Sequence, residues 1–363
     1  MTETKFESAV SAVVGDSTFE GSSTVNRPST LDRSSAPDLP AVFDLPTALD
    51  LPTLWFVVVF AFLGTFLFLD GFDFGAGALF ATRTDEAERE RILAAIGPFW
   101  DGNEVWLVVF GGALFAAFPS IYADLFSRHY LLLFAVLGAL ICRGLAPEFY
   151  EQREDEAWKR WWGRAFVVGS VASPFLLGTF VGNWLLGTTL APESVVVGLA
   201  VVALTVVTGG AFVALKTDGT LAADARTWGL RALAAYLALV VVALLAMATR
   251  PTVRDALLEP LPLALVALSL AFGGCYALAS TLERDLLAFV AAGGTTYALV
   301  ALVGTLLYPT LDPRTGLTVA EAAISPLALT LLTWSAALLV PLVVVYFAVL
   351  YSTFAGPVDA EGY

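Results

Sequence analysis

Long apolar stretches dominate the chain from Leu51 onward. A helix that crosses a membrane needs about 20 consecutive, mostly apolar residues, and one stretch after another reaches that length. The run from Ser194 to Leu215, for example, contains no charged residue. The alternation of apolar and polar residues that a membrane β-barrel needs is absent. The pattern therefore predicts an all-α polytopic membrane protein.

The apolar stretches divide into about nine predicted transmembrane helices. The third is short, and only Glu283, Arg284 and Asp285 separate the seventh from the eighth. The predicted spans lie near residues 52–80, 103–126, 130–147, 164–187, 194–216, 229–249, 260–282, 286–308 and 325–354.

The ends of the chain differ from the membrane region, 51–356. Residues 1–50 are rich in Ser, Thr, Pro and acidic residues, a composition that buries too little apolar surface to offset chain entropy. They also lack the basic start and apolar core of a signal peptide. We expect a disordered acidic N-terminal tail over 1–50 and a short C-terminal tail over 357–363.

The loops predict the orientation of the chain in the membrane. Lys and Arg collect in cytoplasmic loops, and here they concentrate in the loops that follow the first, third, fifth and seventh predicted spans. That distribution predicts an external N-terminus and an internal C-terminus. The acidic tail, which has few basic residues, would then face outward.

Composition narrows the class further. Of 363 residues, 58% are hydrophobic and 14% are charged, whereas soluble domains carry about 25% charged residues. The net charge of −14 argues against a nucleic-acid partner, because phosphate contacts need Lys and Arg, and it suggests a high-salt source. The two cysteines, Cys142 and Cys275, are too few for a disulfide or zinc framework.

Ionisable residues cluster near the inner ends of the first three predicted helices. Asp70 and Asp73 share one helix face, Asp101 and Glu104 repeat that spacing, and Arg143 ends the third helix. Ionisable groups within spans usually mark function. A chain of carboxylates is also what a proton path needs, because each group must take up and release a proton.

Structural interpretations of the same carboxylates remain open. Asp101 and Glu104 fit a helix N-cap with its capping-box partner, with Pro98 just before the helix start. Asp70 and Asp73 would, on a second interpretation, only neutralise nearby arginines. A proton path and these structural roles are therefore alternatives at this point.

Other conspicuous residues have structural explanations. Gly71, Gly75 and Gly77 are expected to allow close contact between helices rather than to bind phosphate. His129 lies by a loop and is expected at the membrane interface. Three tryptophans form a predicted interfacial belt: Trp158, Trp161 and Trp162.

Several of these motifs resemble subunit II of cytochrome bd-type quinol oxidases. Residues 70–77 (DGFDFGAG) are similar to the first-helix signature of that family, and residues 100–106 (WDGNEVW) to its most recognisable block. Further similar segments are 111–119 (GGALFAAFP), 143–149 (RGLAPEF), 180–184 (FVGNW) and the stretch from Tyr308 to Tyr351. The matches run in order through about residues 52–356.

The resemblance implies a function and a partner. Members of this family form a two-subunit terminal oxidase of the cell membrane, which oxidises quinol and reduces dioxygen to water without a proton pump. Its turnover is electrogenic through vectorial chemistry. Subunit I carries two b-type haems and haem d, while subunit II supports the assembly and contributes to proton uptake. The implied fold is two four-helix bundles plus one peripheral helix.

The resemblance also implies roles for single residues. Asp101 would be a proton-path carboxylate, and Glu104, Asp70 and Asp73 would belong to the same path. Arg143 would be the charge partner of Asp73, a pair whose loss disturbs haem retention in subunit I. Trp100 would contact a lipid or quinone tail, and a structural quinone in this chain stays open.

The scarcity of metal ligands agrees with this division between subunits. Haem iron needs axial His, Met or Cys ligands, and the chain has one histidine, His129, and two methionines, Met1 and Met247. We therefore expect that it ligates no haem and no metal. Two features depart from the family pattern, namely the long N-terminal tail and the short connection over 250–259.

Two other functions compete with the oxidase subunit. A proton-coupled secondary transporter would also combine many spans with buried acids, although transporter charges often lie at the bilayer midplane on broken helices. A pure scaffold subunit without a proton role differs from the main hypothesis only in what the four carboxylates do.

Overall fold

Helices make up most of residues 50–358, which are the residues that the computed structural model describes. The helices are α1 (Leu51–Phe80), α2 (Glu86–Ile96), α3 (Trp100–Ala117), α4 (Pro119–Arg128), α5 (Tyr130–Tyr150), α6 (Glu156–Leu186), α7 (Pro192–Lys216), α8 (Gly219–Met247), α9 (Pro251–Leu257), α10 (Pro260–Thr281), α11 (Asp285–Leu306), α12 (Val319–Ala322) and α13 (Pro326–Thr353). Two short antiparallel strands, β1 (Thr310–Asp312) and β2 (Leu317–Thr318), pair between α11 and α12. The predicted all-α class is confirmed, whereas the predicted acidic tail lies outside the described residues.

Eight helices in this part of the chain are long and apolar enough to cross a membrane: α1, α5, α6, α7, α8, α10, α11 and α13. The predicted span over 103–126 is instead divided, because Phe118 leaves the helical conformation and Pro119 begins α4. Proline lacks the N–H that would continue a helix but suits the first position of a new one. The count of nine and the orientation stay predictions.

Capping residues explain why α6 is longer than the predicted span over 164–187. Its first turn begins at Glu156, where the Asp155 side chain accepts a hydrogen bond from the Trp158 N–H at 2.8 Å. It ends at Leu186, and the next residue, Gly187, has a φ of +63°, the left-handed conformation that closes many helices. The predicted span therefore misses the polar first two turns of α6.

Helix α1 lies at the centre of the packing and contacts α3, α6, α7, α11 and α13. Glycine permits its closest approaches: a Cβ at Gly75 would lie 1.8 Å from the Thr205 carbonyl oxygen of α7, and one at Gly77 would lie 2.0 Å from Ser170 Oγ of α6. Gly71 is less crowded, with its nearest atoms at 3.6 Å. Close helix contact is thus confirmed for Gly75 and Gly77.

Helix α13 is peripheral, and Leu329 is its only buried residue. One hydrogen bond near its start ties it to α1, from Trp55 Nε1 to Thr333 Oγ1 at 2.9 Å. Beyond its end, the backbone N–H of Val358 donates to the Lys216 carbonyl oxygen at 2.8 Å, and Val358 is buried. The chain after α13 is therefore fastened to the end of α7 at least as far as residue 358.

The glycine contacts lead to a test of packing. Gly75→Ala places a methyl group where the α7 backbone lies, so the helices must separate; overpacking of this kind costs about 1–3 kcal/mol. Gly111→Ala in α3 is the matched control, because a Cβ there meets nothing within 4 Å. In fluorescence-detected size-exclusion chromatography after heating, Gly75→Ala should aggregate several degrees below the wild type. Equal stability of the two variants would contradict this packing.

Candidate functional site

Three helices bring four charged side chains together, three carboxylates around Arg143 of α5. Its Nη2 atom lies 2.8 Å from Asp70 Oδ1 and 3.4 Å from Asp73 Oδ2, both on α1, and its Nη1 atom lies 3.0 Å from Glu104 Oε2 on α3. We call these four residues the Arg143 cluster. The i, i+3 spacing on α1 places both aspartates on the face that α5 and α3 approach.

Burial within the protein makes this cluster unusual. Asp70 and Asp73 are 0% exposed and Arg143 is 1% exposed, whereas the Glu104 side chain is 32% exposed. Both carboxyl oxygens of Asp70 and Oδ1 of Asp73 are buried without an aligned hydrogen bond from residues 50–358. Charge attraction to one guanidinium therefore provides most of the compensation for these two carboxylates.

Close helix packing holds Arg143 in place. A Cβ at Gly169 of α6 would lie 2.5 Å from the Arg143 backbone nitrogen, so only glycine allows this approach. Two aromatic rings flank the guanidinium, with its central carbon 5.0 Å from the Phe74 ring centre and 5.5 Å from that of Trp100. These distances are typical of cation–π contacts, which add to the fixation of the cation.

Asn103 and Tyr351 extend the network, and the sequence did not single them out. Asn103 Nδ2 donates to Asp73 Oδ2 at 2.8 Å and to the Leu69 carbonyl oxygen at 3.3 Å. Its Oδ1 accepts a hydrogen bond from the Tyr351 hydroxyl at 2.8 Å. Asn103 lies between two predicted site residues within the WDGNEVW motif, so the motif carried a signal for it. Tyr351 ends the family-like stretch that begins at Tyr308, but nothing in that stretch predicts its contact with Asn103.

Asp101 lies outside the Arg143 cluster, on the exposed side of α3. Consecutive residues of an α-helix are about 100° apart around the helix axis. Asp101 and Asn103 are two positions apart, or about 200°, so their side chains point in nearly opposite directions. Asp101 makes no hydrogen bond with the described residues, and the N-cap of α3 is Phe99, without a side-chain cap. The capping interpretation of Asp101 is therefore wrong. Glu104, one turn later, connects the exposed side to the cluster.

Trp100 was predicted to contact a lipid or quinone tail. In the structure it is half-buried, and its ring covers the Arg143 guanidinium. The ring also lies near Gly144, where a Cβ would be 3.4 Å from Trp100 Cζ3. Contact with a lipid or quinone at Trp100 stays a prediction.

His129 is buried within the protein, with 3% of its surface exposed, and its position at the membrane interface stays a prediction. Its Nδ1 atom is 3.0 Å from the Leu125 carbonyl oxygen and its Nε2 atom is 3.0 Å from that of Thr188. Both ring nitrogens are thus occupied within the protein. Within residues 50–358 there is no group of three or more His, Cys, Asp or Glu residues that could hold a metal ion.

The three tryptophans of the predicted belt differ in how far they are buried. Trp158 Nε1 donates to the Phe149 carbonyl oxygen at 2.5 Å, and the Trp162 ring stacks on the Phe149 ring at 4.5 Å. Trp161 is 74% exposed. Only Trp161 is therefore fully available at the surface of this chain.

Comparisons with known proteins agree with the motifs. The profile of the family described as cytochrome bd terminal oxidase subunit II matches residues 51–354. Subunit 2 of cytochrome bd-I ubiquinol oxidase from Escherichia coli K12 is 28% identical over 344 residues, which cover 80% of this chain and 90% of that protein. Subunit 2 of cytochrome bd ubiquinol oxidase from Bacillus subtilis 168 is 31% identical over 297 residues, which cover 75% and 86%.

A solved structure supports the fold. The bd oxidase structure from Geobacillus thermodenitrificans aligns with a TM-score of 0.71 at 19% identity, covering 84% of this chain and 99% of that one. None of these comparisons bears on the high-salt source, which stays a prediction.

Charge compensation at Arg143 can be tested by paired substitutions. Arg143→Gln leaves the buried carboxylates without their cation, and breaking a buried ion pair in this way typically costs about 3–5 kcal/mol. Adding Asp70→Asn removes one of the uncompensated charges, so the double variant should regain part of the lost stability. The measurement is the midpoint of thermal aggregation of the purified protein.

Arg153→Gln is the control, because the Arg153 guanidinium lies over the Trp158 ring and forms no ion pair with the described residues. It should behave like the wild type. A double variant less stable than Arg143→Gln alone would show that Asp70 does not depend on this charge.

Proposed function

Since the chain belongs to the cytochrome bd terminal oxidase subunit II family, we propose that it supports the haem-bearing subunit I and supplies a proton uptake path to it. Family membership makes the chain a multi-pass subunit of the cell membrane, with subunit I as its partner in a quinol oxidase complex. The proposed reaction takes four electrons and four protons from two quinols. One dioxygen accepts four electrons and four protons and becomes two water molecules.

The observation that carries the proposed proton path is the gradient of exposure along the carboxylates. Asp101 is exposed, Glu104 is partly exposed, and Asp70 and Asp73 are buried. Asp101 and Glu104 lie one turn apart on α3, and Arg143 joins Glu104 to the two aspartates. Carboxyl groups in such a series can each take up a proton and release it to the next.

The charge balance of the Arg143 cluster supports the same role. Three carboxylates surround one guanidinium, so full ionisation would leave two uncompensated negative charges beside a buried cation. A proton on one carboxyl group lowers the electrostatic cost of burial. The cluster therefore favours holding a proton that can be exchanged, while Asn103 positions Asp73 through its hydrogen bond.

The haems of the proposed complex would be held by subunit I. This chain offers a poor axial ligand, because both nitrogens of its one histidine, His129, contact backbone carbonyl oxygens. With the predicted orientation, proton uptake would start from the cytoplasmic side, and turnover would be electrogenic. Quinol and dioxygen would react within the complex rather than on this chain alone.

A scaffold role without proton transfer is the second candidate. The contacts that favour it are those of Arg143 itself, because an ion-pair cluster that ties α1, α3 and α5 together stabilises the subunit whether or not protons move. The transporter alternative has no comparable support, since the relatives are oxidase subunits. Proton path and scaffold differ in what Asp101 does, because Asp101 takes no part in the ion pairs.

Asp101→Asn separates the two candidates. Asn cannot carry a proton but is similar in shape, and Asp101 makes no hydrogen bond within residues 50–358 that the change would break, so assembly and the haem spectrum should persist. Quinol oxidase turnover should fall about ten-fold or more, because positioned proton-transfer groups are worth about 10²–10⁴-fold. The measurement is oxygen consumption per haem with excess quinol.

Glu148→Gln is the matched control, since Glu148 is an exposed carboxylate of α5 that forms no ion pair with the described residues. It should keep full turnover. Normal turnover in Asp101→Asn with normal haem content would remove Asp101 from the path and favour the scaffold.

The assignment of haems to the partner has a spectroscopic test. The chain purified without subunit I should show no haem absorbance in a reduced-minus-oxidised spectrum, because its one histidine is engaged by two backbone carbonyl oxygens. The complex purified through the same tag should show it. Stoichiometric haem on the isolated chain would contradict the proposed division between the subunits.

A further inference from the structure

A basic cavity lies between the end of α1 and the start of α6, away from the Arg143 cluster. Its volume is about 370 Å³, within the usual range for small-ligand sites. Nine residues line it: Phe80, Ala81, Arg89, Lys159, Arg160, Gly163, Arg164, Val167 and Val168. Four of these are cationic and none is acidic.

The four cations of the cavity differ in their compensation. Lys159 is paired with Glu86, with Glu154 at 2.8 Å and with Glu90 at 3.5 Å. Arg160 pairs with Glu156 at 3.0 Å. These four glutamates are thus already engaged by Lys159 and Arg160.

Arg89 and Arg164 form no ion pair with any residue in 50–358. Arg89 is held by its Nε–H, which donates to the Arg83 carbonyl oxygen at 2.9 Å, and its guanidinium lies 5.1 Å from the centre of the Phe80 ring. Arg164 is exposed at the cavity mouth. Two guanidinium groups that line one cavity and have no ion-pair partner among the described residues suit an anion with several acceptor oxygens, as phosphate has.

The depth of the cavity points to a lipid. Helix α6 has 31 residues and is about 46 Å long, longer than the hydrocarbon thickness of about 30 Å. Counting about 20 residues back from Leu186 places the hydrocarbon boundary near Val167. Arg164 then lies one turn outside it, at the level of lipid headgroups.

An exposed apolar stripe continues from the cavity into the hydrocarbon. Val168 is 61% exposed and Val171 is 36% exposed, and both lie on the α6 face that begins with Arg164. Trp161, one turn before Arg164, is exposed on the same face, as tryptophans at the membrane interface commonly are. A phosphate at the two arginines would therefore have space for an acyl chain along these valines.

We propose that the cavity between α1 and α6 binds the phosphate of one anionic phospholipid through Arg89 and Arg164, with an acyl chain along Val168 and Val171. Basic cavities between membrane helices are known sites for anionic headgroups. This site does not depend on the oxidase function, because it uses none of the residues assigned to proton uptake.

The test uses the two-subunit complex, delipidated in mild detergent and examined by native mass spectrometry. Dioleoylphosphatidylglycerol carries a net negative charge, whereas dioleoylphosphatidylcholine has the same phosphate and no net charge. When each lipid is added back at the same concentration, one phosphatidylglycerol should bind per complex under conditions where phosphatidylcholine does not bind. Arg164→Gln should weaken its binding about five-fold, since each basic residue near the membrane surface contributes roughly that factor, and adding Arg89→Gln should weaken it further.

Arg231→Gln with Arg284→Gln is the matched double control. Both arginines are exposed and form no ion pair with the described residues, and they lie on α8 and just before α11, outside this cavity. The control should bind phosphatidylglycerol as the wild type does. Equal loss in the control and the cavity variant would show general charge attraction and overturn the site.

Three further results would also overturn the proposal. Equal retention of the two lipids in the wild type would mean that the arginines do not select a charged headgroup. Displacement of phosphatidylglycerol by millimolar inorganic phosphate would indicate a free-phosphate site. Absence of bound lipid, together with crosslinking of a probe at Arg164 to subunit I, would show that the partner subunit covers the cavity.

Discussion

The burial of one guanidinium constrains much of this subunit. A buried charge is very costly unless it is paired, so Arg143 on α5 requires carboxylates from α1 and α3 at fixed distances. The pairing determines how the three helices stand relative to one another. It also fixes the neighbours: α6 approaches through Gly169, where a side chain would collide with the Arg143 backbone, and the Phe74 and Trp100 rings flank the cation. Packing and charge compensation therefore support each other around a single residue.

Much of this arrangement follows from the sequence. The repeated i, i+3 spacing of acids in the first two membrane segments, together with one arginine in the third, predicts that these charges meet, and the structure brings Asp70, Asp73, Glu104 and Arg143 into contact. Spacing alone does not say which member of an acidic pair points inward. Asp101 faces outward because Asn103, two residues later, takes the inner position beside Asp73.

Some features of the structure are not predicted by the sequence, because they depend on contacts between residues far apart in the chain or on local signals that oppose the apolar pattern. Tyr351 reaches Asn103 across 248 positions of the chain, and no local pattern predicts such a contact. The break at Phe118 is hidden for a different reason: the apolar run continues through it, so only Pro119 marks the end of one helix and the start of the next. The early start of α6 does not show in the apolar pattern because its first two turns carry Glu156, Lys159 and Arg160, although Asp155 is a local capping signal that favours a helix there.

The two charged regions differ in which of their charged groups are paired. At Arg143, three carboxylates compete for one guanidinium, and the excess of negative charge favours uptake of a proton. Beside α6, four glutamates are paired with Lys159 and Arg160, whereas Arg89 and Arg164 have no ion-pair partner among the described residues, so their N–H groups can bind an anion. The net charge of −14 predicts neither property, because charges separated by more than about 10 Å are largely screened at the surface. Local compensation, rather than total charge, therefore decides what each region can bind.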